Sequence, residues 1–352
     1  MSEHAQRQVP TRTRPTMRDV SALAGVSLKT VSRVVNGVST VDPALAARVT
    51  DAAGKLGYRP NLAASNLRRS DRRTATIGML VEDSANPFSA SLMRAVENVA
   101  HKRGVVVLVG SLDEDPVREH ELSRALIDRR VDGLIIVPCG QDHSYLQSER
   151  SAGTRFVFVD REPKLLDADA VVSDNFTGAD IAVRHLLDHG HRRIGYLGDR
   201  TSISTAAQRL AGYRHALEVA HVELDETIVG SEISTVNEAI AATTRMLELP
   251  EPPTAIFASQ NLVTIGASRA LRLLGMEDSV ALVGFDDFPL ADLLRPGISV
   301  IAQDIERLGG LAAEIQFSRL DGDESASRTH VVSTRLIMRG SGEIPRAGAV
   351  NG

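Results

Sequence analysis

From Thr76 onward the chain alternates short apolar runs with amphipathic stretches. The runs are Ile77 to Val81, Val105 to Val109, Leu134 to Val137, Phe156 to Val159, Ile194 to Leu197, Ala255 to Ala258 and Val280 to Phe285. Between them lie segments of helical period: Leu92 to Arg103, Glu119 to Arg130, Ala179 to Asp188, Ala206 to Ala220, Val236 to Glu248 and Val263 to Leu274. Unbroken apolar runs that alternate with such segments predict βα units, parallel strands buried on both faces by helices. Gly104, Gly190 and Gly275 follow helical segments and suit their left-handed C-terminal turns. The α/β region from 76 to 340 is longer than one such sheet needs, so two lobes are expected.

The first 75 residues follow a different pattern. Thr16 precedes Met17-Arg18-Asp19-Val20, so its hydroxyl caps a helix that holds Asp19 in its first turn and places Val20, Leu23 and Ala24 on one face. Gly25 breaks that helix. Ser27 caps a second one, from Leu28 to Asn36, that stops at Gly37; Val31, Val34 and Val35 form its buried stripe. Leu28, Lys29, Ser32, Arg33 and Asn36 then project outward, a set suited to base edges and phosphates in a major groove. A third helix, Pro43 to Leu56, closes the small core with Leu45, Val49, Ala52 and Leu56. The pattern is that of a helix-turn-helix head.

Charge sharpens this division. The whole chain of 352 residues carries −5, but residues 1 to 75 hold 13 Lys and Arg against five acids, a net +8, which leaves −13 for the rest. A basic module on an acidic one implies two partners, the basic one facing a polyanion. A single Cys139 excludes an internal disulfide framework and a cysteine-built zinc site. With no run of 18 apolar residues and no signal-peptide core, the expectation is a cytoplasmic, nucleoid-associated protein with no membrane partner.

The stretch MRDVSALAGVSLKTVSRVVNG and the turn Gly57-Tyr58-Arg59-Pro60-Asn61 resemble the DNA-binding head of the LacI/GalR family of bacterial transcription regulators. The likeness continues in Asn86-Pro87-Phe88, Val131-Asp132-Gly133-Leu134-Ile135, Gly190-His191-Arg192-Arg193-Ile194, Arg209-Leu210-Ala211-Gly212-Tyr213 and Val283-Gly284-Phe285-Asp286-Asp287. The resemblance implies an all-α head of residues 16–60 and a hinge helix and linker over 61–75. It further implies a two-lobed, periplasmic-binding-protein-like core over 76–340 that binds effector and dimerises. Residues 1–15 and 341–352 are expected to be disordered tails.

By position, the resemblance puts Leu28, Lys29 and Arg33 on bases, and Ser27, Thr30, Ser32, Asn36 and Tyr58 on the DNA backbone. Asn61, Ala64, Leu67 and Arg68 fall on the minor-groove hinge, where a leucine wedge unstacks the central step. Phe88, Ser89, Asp160, Thr205, Arg209, Gln260 and Asp286 fall on effector positions. Carboxylates, a guanidinium, hydroxyls, an amide and one aromatic face suit a polyhydroxylated ligand, a sugar or sugar derivative. Gln260-Asn261 stands where many relatives have Asn-Asp, and Ile203 stands near a position that is basic in the purine-binding branch.

An enzyme reading has its best support in His185, His189 and His191, the first two at a helical zinc-pair spacing. No glutamate base lies between them as in HExxH, and the segment reads equally as a helix end with exposed imidazoles. No nucleophile elbow, P-loop or dinucleotide fingerprint appears. The expectation is therefore a repressor with no catalytic residue, metal or cofactor, binding a palindromic operator as a homodimer. The alternative is a cytosolic solute-binding protein that shares only the core.

Overall fold

In the computed structural model, which describes residues 15–35, 40–59 and 73–346, Thr16 and Asp19 start the first helix by capping each other. The Thr16 N–H donates to Asp19 Oδ2 at 2.7 Å, and the Asp19 N–H donates back to Thr16 Oγ1 at 3.4 Å. Helix α1 (Met17–Ala24) ends at Gly25, whose φ of +60° a side chain resists. Helix α2 (Leu28–Val35) begins where Ser27 Oγ accepts the Thr30 N–H at 3.1 Å. Asp42 caps α3 (Pro43–Leu56), accepting the Ala44 and Leu45 N–H groups at 2.9 and 3.2 Å.

Val20, Ala24, Val31, Val49 and Ala52 form the core of this unit, and Arg48 Nη2 fixes the turn by donating to Ala24 O at 2.6 Å. Leu23 departs from its expected place. It is 53% exposed, because α3 packs on the Val20 and Ala24 side of α1 and leaves Leu23 on the outer flank. Leu45 likewise stays only partly buried.

The second unit runs from Ala75 onward. Its first lobe holds β1 (Thr76–Val81), α4 (Pro87–Lys102), β2 (Val106–Ser111), α5 (Pro116–Asp128), β3 (Gly133–Ile136), α6 (Gln147–Ser151), β4 (Arg155–Val159) and β5 (Asp169–Ser173). The second holds α7 (Asn175–Asp188), β6 (Ile194–Leu197), α8 (Ser204–Val219), β7 (Val229–Gly230), α9 (Val236–Leu247), β8 (Ala255–Ala258), α10 (Asn261–Leu274), β9 (Ala281–Phe285) and β10 (Ser299–Ala302). The chain then returns to the first lobe through α11 (Ile305–Leu320) and β11 (Thr329–Val332) and closes on the second with β12 (Arg335–Ile337).

Each lobe has a six-stranded sheet, in the orders β11-β5-β4-β3-β1-β2 and β12-β10-β9-β8-β6-β7, with only the β10–β12 pair antiparallel. One order is a copy of the other, and each sheet is covered on both faces by apolar clusters. All seven predicted strands are present within a residue or two. The strands the pattern missed are β5, β7, β10, β11 and β12. All five are edge strands or strands that lead into a crossing between lobes, and β7 has only two residues.

The expected disorder of 341–352 fails for its first half. Ser341 is 2% exposed and donates to Leu282 O at 2.6 Å, and Glu343 Oε1 lies 2.6 Å from His185 Nε2. These polar contacts hold the segment against the second lobe; residues 347–352 lie outside the described ones.

Candidate functional site

The duplicated topology places one aspartate at the end of the corresponding strand in each lobe. Asp160 follows β4 and Asp286 follows β9, both at φ +69°, a left-handed conformation that costs a non-glycine residue on the order of 1 kcal/mol. Each N–H donates to the neighbouring strand, Asp160 to Val171 O at 2.9 Å and Asp286 to Ile301 O at 2.8 Å. The turn aims both carboxylates into the space between the lobes, at the carboxyl ends of the strands, where open α/β sheets bind ligands. Burial pushes both carboxyls up; Arg161 and Arg209 oppose this at Asp160, Arg209 and Gln303 at Asp286.

Arg209, in the second turn of α8, lies with its guanidinium 3.9 Å from the centroid of the Phe285 ring. It donates to Asn175 Oδ1 and to Ser259 O, both at 2.8 Å, and stands 3.7 Å from Asp286 Oδ2. Gln303 Nε2 donates to Asp286 Oδ1 at 2.6 Å, and Ser173 Oγ of the first lobe donates to Gln303 Oε1. Asn261 Nδ2 reaches across to Asn86 Oδ1 at 2.8 Å, tying the N-termini of α10 and α4 together. On the first lobe, Arg161 grips Glu114 with both terminal nitrogens, at 3.0 and 2.6 Å.

Phe88, Asp160, Thr205, Arg209, Gln260 and Asp286 all line this one cavity. Ser89 does not. It is 2% exposed in the first turn of α4, about 100° around the helix from Phe88, and faces the lobe interior. Glu82, Arg161, Asp199 and Gln303 also line the cavity and were not singled out from the sequence, and Asn86 and Asn261, noted there only within motifs, line it too. Glu82 and Asp199 carry a usable signal, since each follows a strand at its carboxyl end.

In the head, α2 presents Leu28, 45% exposed, together with Lys29 and Arg33. Arg33 Nη2 donates to Thr40 Oγ1 at 2.5 Å, Ser27 and Thr30 share a hydroxyl–hydroxyl bond of 2.9 Å, and Ser32 is half-buried on the same helix. Tyr58 packs partly against the core, and burial raises its phenol pKa. Asn36, Asn61, Ala64, Leu67 and Arg68, and with them the predicted hinge helix, lie outside the described residues.

The three histidines are not the exposed imidazoles expected. The His185 side chain is 10% exposed against Glu343, His189 Nδ1 lies 2.8 Å from His185 O, and His191 bridges Thr254 Oγ1 and Ile344 O at 2.9 and 2.8 Å. His185 and His191 thereby anchor the C-terminal segment. Among the described residues no three His, Cys, Asp or Glu side chains gather as a metal site, and no helix is long and apolar enough to cross a membrane.

A three-helix head with an exposed polar helix, followed by two doubly wound lobes that meet at a polar cleft, defines a helix-turn-helix DNA-binding protein with a periplasmic-binding-protein-like core. The profile of bacterial regulatory proteins of the lacI family matches residues 16–61, and that of the periplasmic binding protein-like domain matches residues 183–342. The HTH-type transcriptional regulator CelR of Thermobifida fusca is 32% identical over 340 residues, 94% of this chain and 99% of that one. The ribose operon repressor of Haemophilus influenzae is 30% identical over 328 residues, 93% of this chain and 98% of that one. Among solved structures, the lac repressor dimer bound to operator superimposes with a TM-score of 0.82 at 25% identity, over 94% of this chain and 99% of that one. The CelR–cellobiose complex does so with a TM-score of 0.67 at 32% identity, over 93% and 100%. The chain belongs to the LacI family of bacterial regulatory proteins.

Proposed function

We propose that this protein is a transcriptional repressor that binds a palindromic operator as a homodimer and is governed by a small polyhydroxylated effector in the interlobe cleft. The observation that carries the reading is the cleft itself: Asp160 and Asp286 at duplicated left-handed turns, with Arg209 stacked on Phe285 between them. Paired carboxylates and a guanidinium on an aromatic face are a sugar-binding chemistry. The relatives support it, since their names carry ribose and cellobiose.

In this reading Leu28, Lys29 and Arg33 read bases in the major groove. Ser27, Thr30, Ser32, Asn36 and Tyr58 hold the backbone, and Asn61, Ala64, Leu67 and Arg68 enter the minor groove. Two matching half-sites require two-fold symmetry. Apolar surface on the second unit supports the dimer: Val106, Leu108 and Val109 are exposed on the edge strand β2, as are Leu273, Leu290 and Leu293 on the second lobe. Relatives named as regulators support a sensor over an enzyme, and the protein acts in the cytoplasm.

The test is fluorescence anisotropy on operator and random duplexes. Arg33→Ala is expected to lose about ten- to hundredfold in operator affinity and little on random DNA, the cost of one bidentate base contact. Arg209→Ala is expected to retain operator affinity and lose its response to ligand. Equal losses on both duplexes for Arg33→Ala, or an intact ligand response in Arg209→Ala, contradict the assignment.

A further inference from the structure

Carboxylates outnumber cations on the walls of the cleft. Glu82, Asp160, Asp199 and Asp286 line it, against Arg161 and Arg209. Both cations are partly committed, Arg161 through its terminal nitrogens to Glu114 and Arg209 through Nε and Nη1 to Asn175 and Ser259 O. Three of the four carboxylates have partners as well. Gln303 Nε2 donates to Asp286, Gln260 Nε2 donates to Asp199 at 3.0 Å, and Arg161 Nε lies 3.4 Å from Asp160 Oδ2.

Glu82 is the exception. Among the described residues no hydrogen bond or ion pair reaches its carboxylate, and its charged neighbours are Glu114, Asp160 and Asp199 as well as Arg161. Burial, and then Glu114, push its pKa up to about 7, so near neutral pH a proton stands in for the missing cation. Two other atoms of the lining, unlike the half-buried Glu82 carboxylate, are fully buried without a hydrogen-bond partner. One is an acceptor, Gln260 Oε1; the other is a donor, Nε of Arg161, a side chain only 9% exposed, which faces Asp160 Oδ2 at 3.4 Å as an ion pair but makes no hydrogen bond. A buried polar atom without a partner is costly unless a bound group satisfies it. The walls therefore ask for a positive charge beside Glu82, a donor at Gln260 and an acceptor at Arg161.

We propose that the cleft takes a ligand carrying a protonated amine, an amino sugar or related amino polyol, with its ammonium held by Glu82 of one lobe and by Asp199 and Gln260 Oε1 of the other. The inference rests on the reading of the cleft as the effector site. A ligand hydroxyl accepts from Arg161 Nε. A phosphate or carboxylate in the same place meets four carboxylates against two guanidiniums, one of them bound to Glu114, so acidic sugars are disfavoured.

Calorimetric titration of the full chain at pH 7 with matched pairs tests this: glucosamine and glucose, galactosamine and galactose, mannosamine and mannose, with glucose 6-phosphate as the anionic probe. One amino member is expected to bind at least about tenfold tighter than its neutral partner, a difference set by one charge-assisted contact. Glu82→Gln is expected to bring that preference below about twofold, and Glu82→Asp to restore part of it. Thermal melting of Glu82→Gln at or above the parent shows that the variant folds. A neutral or phosphorylated sugar that binds as tightly as its amino partner overturns the proposal, as does a preference that survives Glu82→Gln. If that sugar also shifts operator affinity, the effector-site reading stands while the amine falls. Silence of every probe, with operator binding intact, overturns both.

Discussion

Two glutamates of the first lobe, Glu82 half-buried and Glu119 buried, carry opposite consequences for pH. The pKa of Glu82 is raised from 4.5 to about 7, so the folded state holds this proton more tightly than the unfolded chain, and stability falls as pH rises from 4.5 to 7. Glu82→Gln removes that loss. Its melting temperature should match the parent near pH 4 and exceed it at pH 8, by the equivalent of about 2 to 3 kcal/mol. Glu119 behaves in the reverse way. Burial pushes it up, but hydrogen bonds from His143, the Cys139 N–H and Tyr145 outweigh burial and hold it at about 2. Its stabilisation is present above pH 4.5 and is lost as pH falls towards 2. Since Glu119 is 1% exposed and also accepts the Gly140 N–H, Glu119→Gln should cost about 2 to 4 kcal/mol in urea denaturation at pH 7. Neither residue was singled out from the sequence. Asp160 and Asp286 stand out because each closes a long apolar run, and Glu82 closes one just as well. What sets Glu82 apart is a missing partner, which only the fold reveals. Ser89 shows the converse error: one residue of offset in a helical turn moves a side chain from the cavity to the core.

At the scale of elements, the period of apolar residues found the strands and helices that are buried and regular, and missed those whose support comes from elsewhere. Helix α11 is 16 residues long and passed unnoticed because Gly309 and Gly310 interrupt its pattern. Packing explains Gly309: a Cβ there would lie 2.9 Å from Leu92 O and 2.7 Å from Ala95 Cβ of α4. The same close approach recurs at Gly212 of α8, where a Cβ would lie 2.3 Å from Phe176 O and 2.9 Å from Ala179 Cβ on α7. Backbone blocks the added methyl, so the helices must separate. Gly212→Ala should therefore destabilise the core by about 1 to 3 kcal/mol by calorimetric melting. The head should keep its DNA affinity in that variant, since its own cluster of Val20, Ala24, Val31, Val49 and Ala52 is independent of α7 and α8.

For the whole molecule, the net −5 is the sum of a +8 head and a −13 remainder, which confines attraction to phosphate to the first 75 residues. The division into head and two-lobed core was legible from charge and period together. The cleft was legible only in part, because its walls come from strand ends and helix starts that are distant in sequence and meet only through the three crossings between lobes. Asn86 with Asn261, and Ser173 with Gln303, join those lobes and give a ligand two hydrogen-bonded links through which to bias their closure. The central claim is that cleft and head are coupled. It is tested most directly by measuring the affinity of the full chain for a selected palindromic operator, with and without a saturating sugar that binds the cleft. The account predicts a shift of at least about fivefold, with the same factor in the affinity for the sugar when operator is present, as linkage requires. Operator affinity unchanged at full occupancy of the cleft would contradict it.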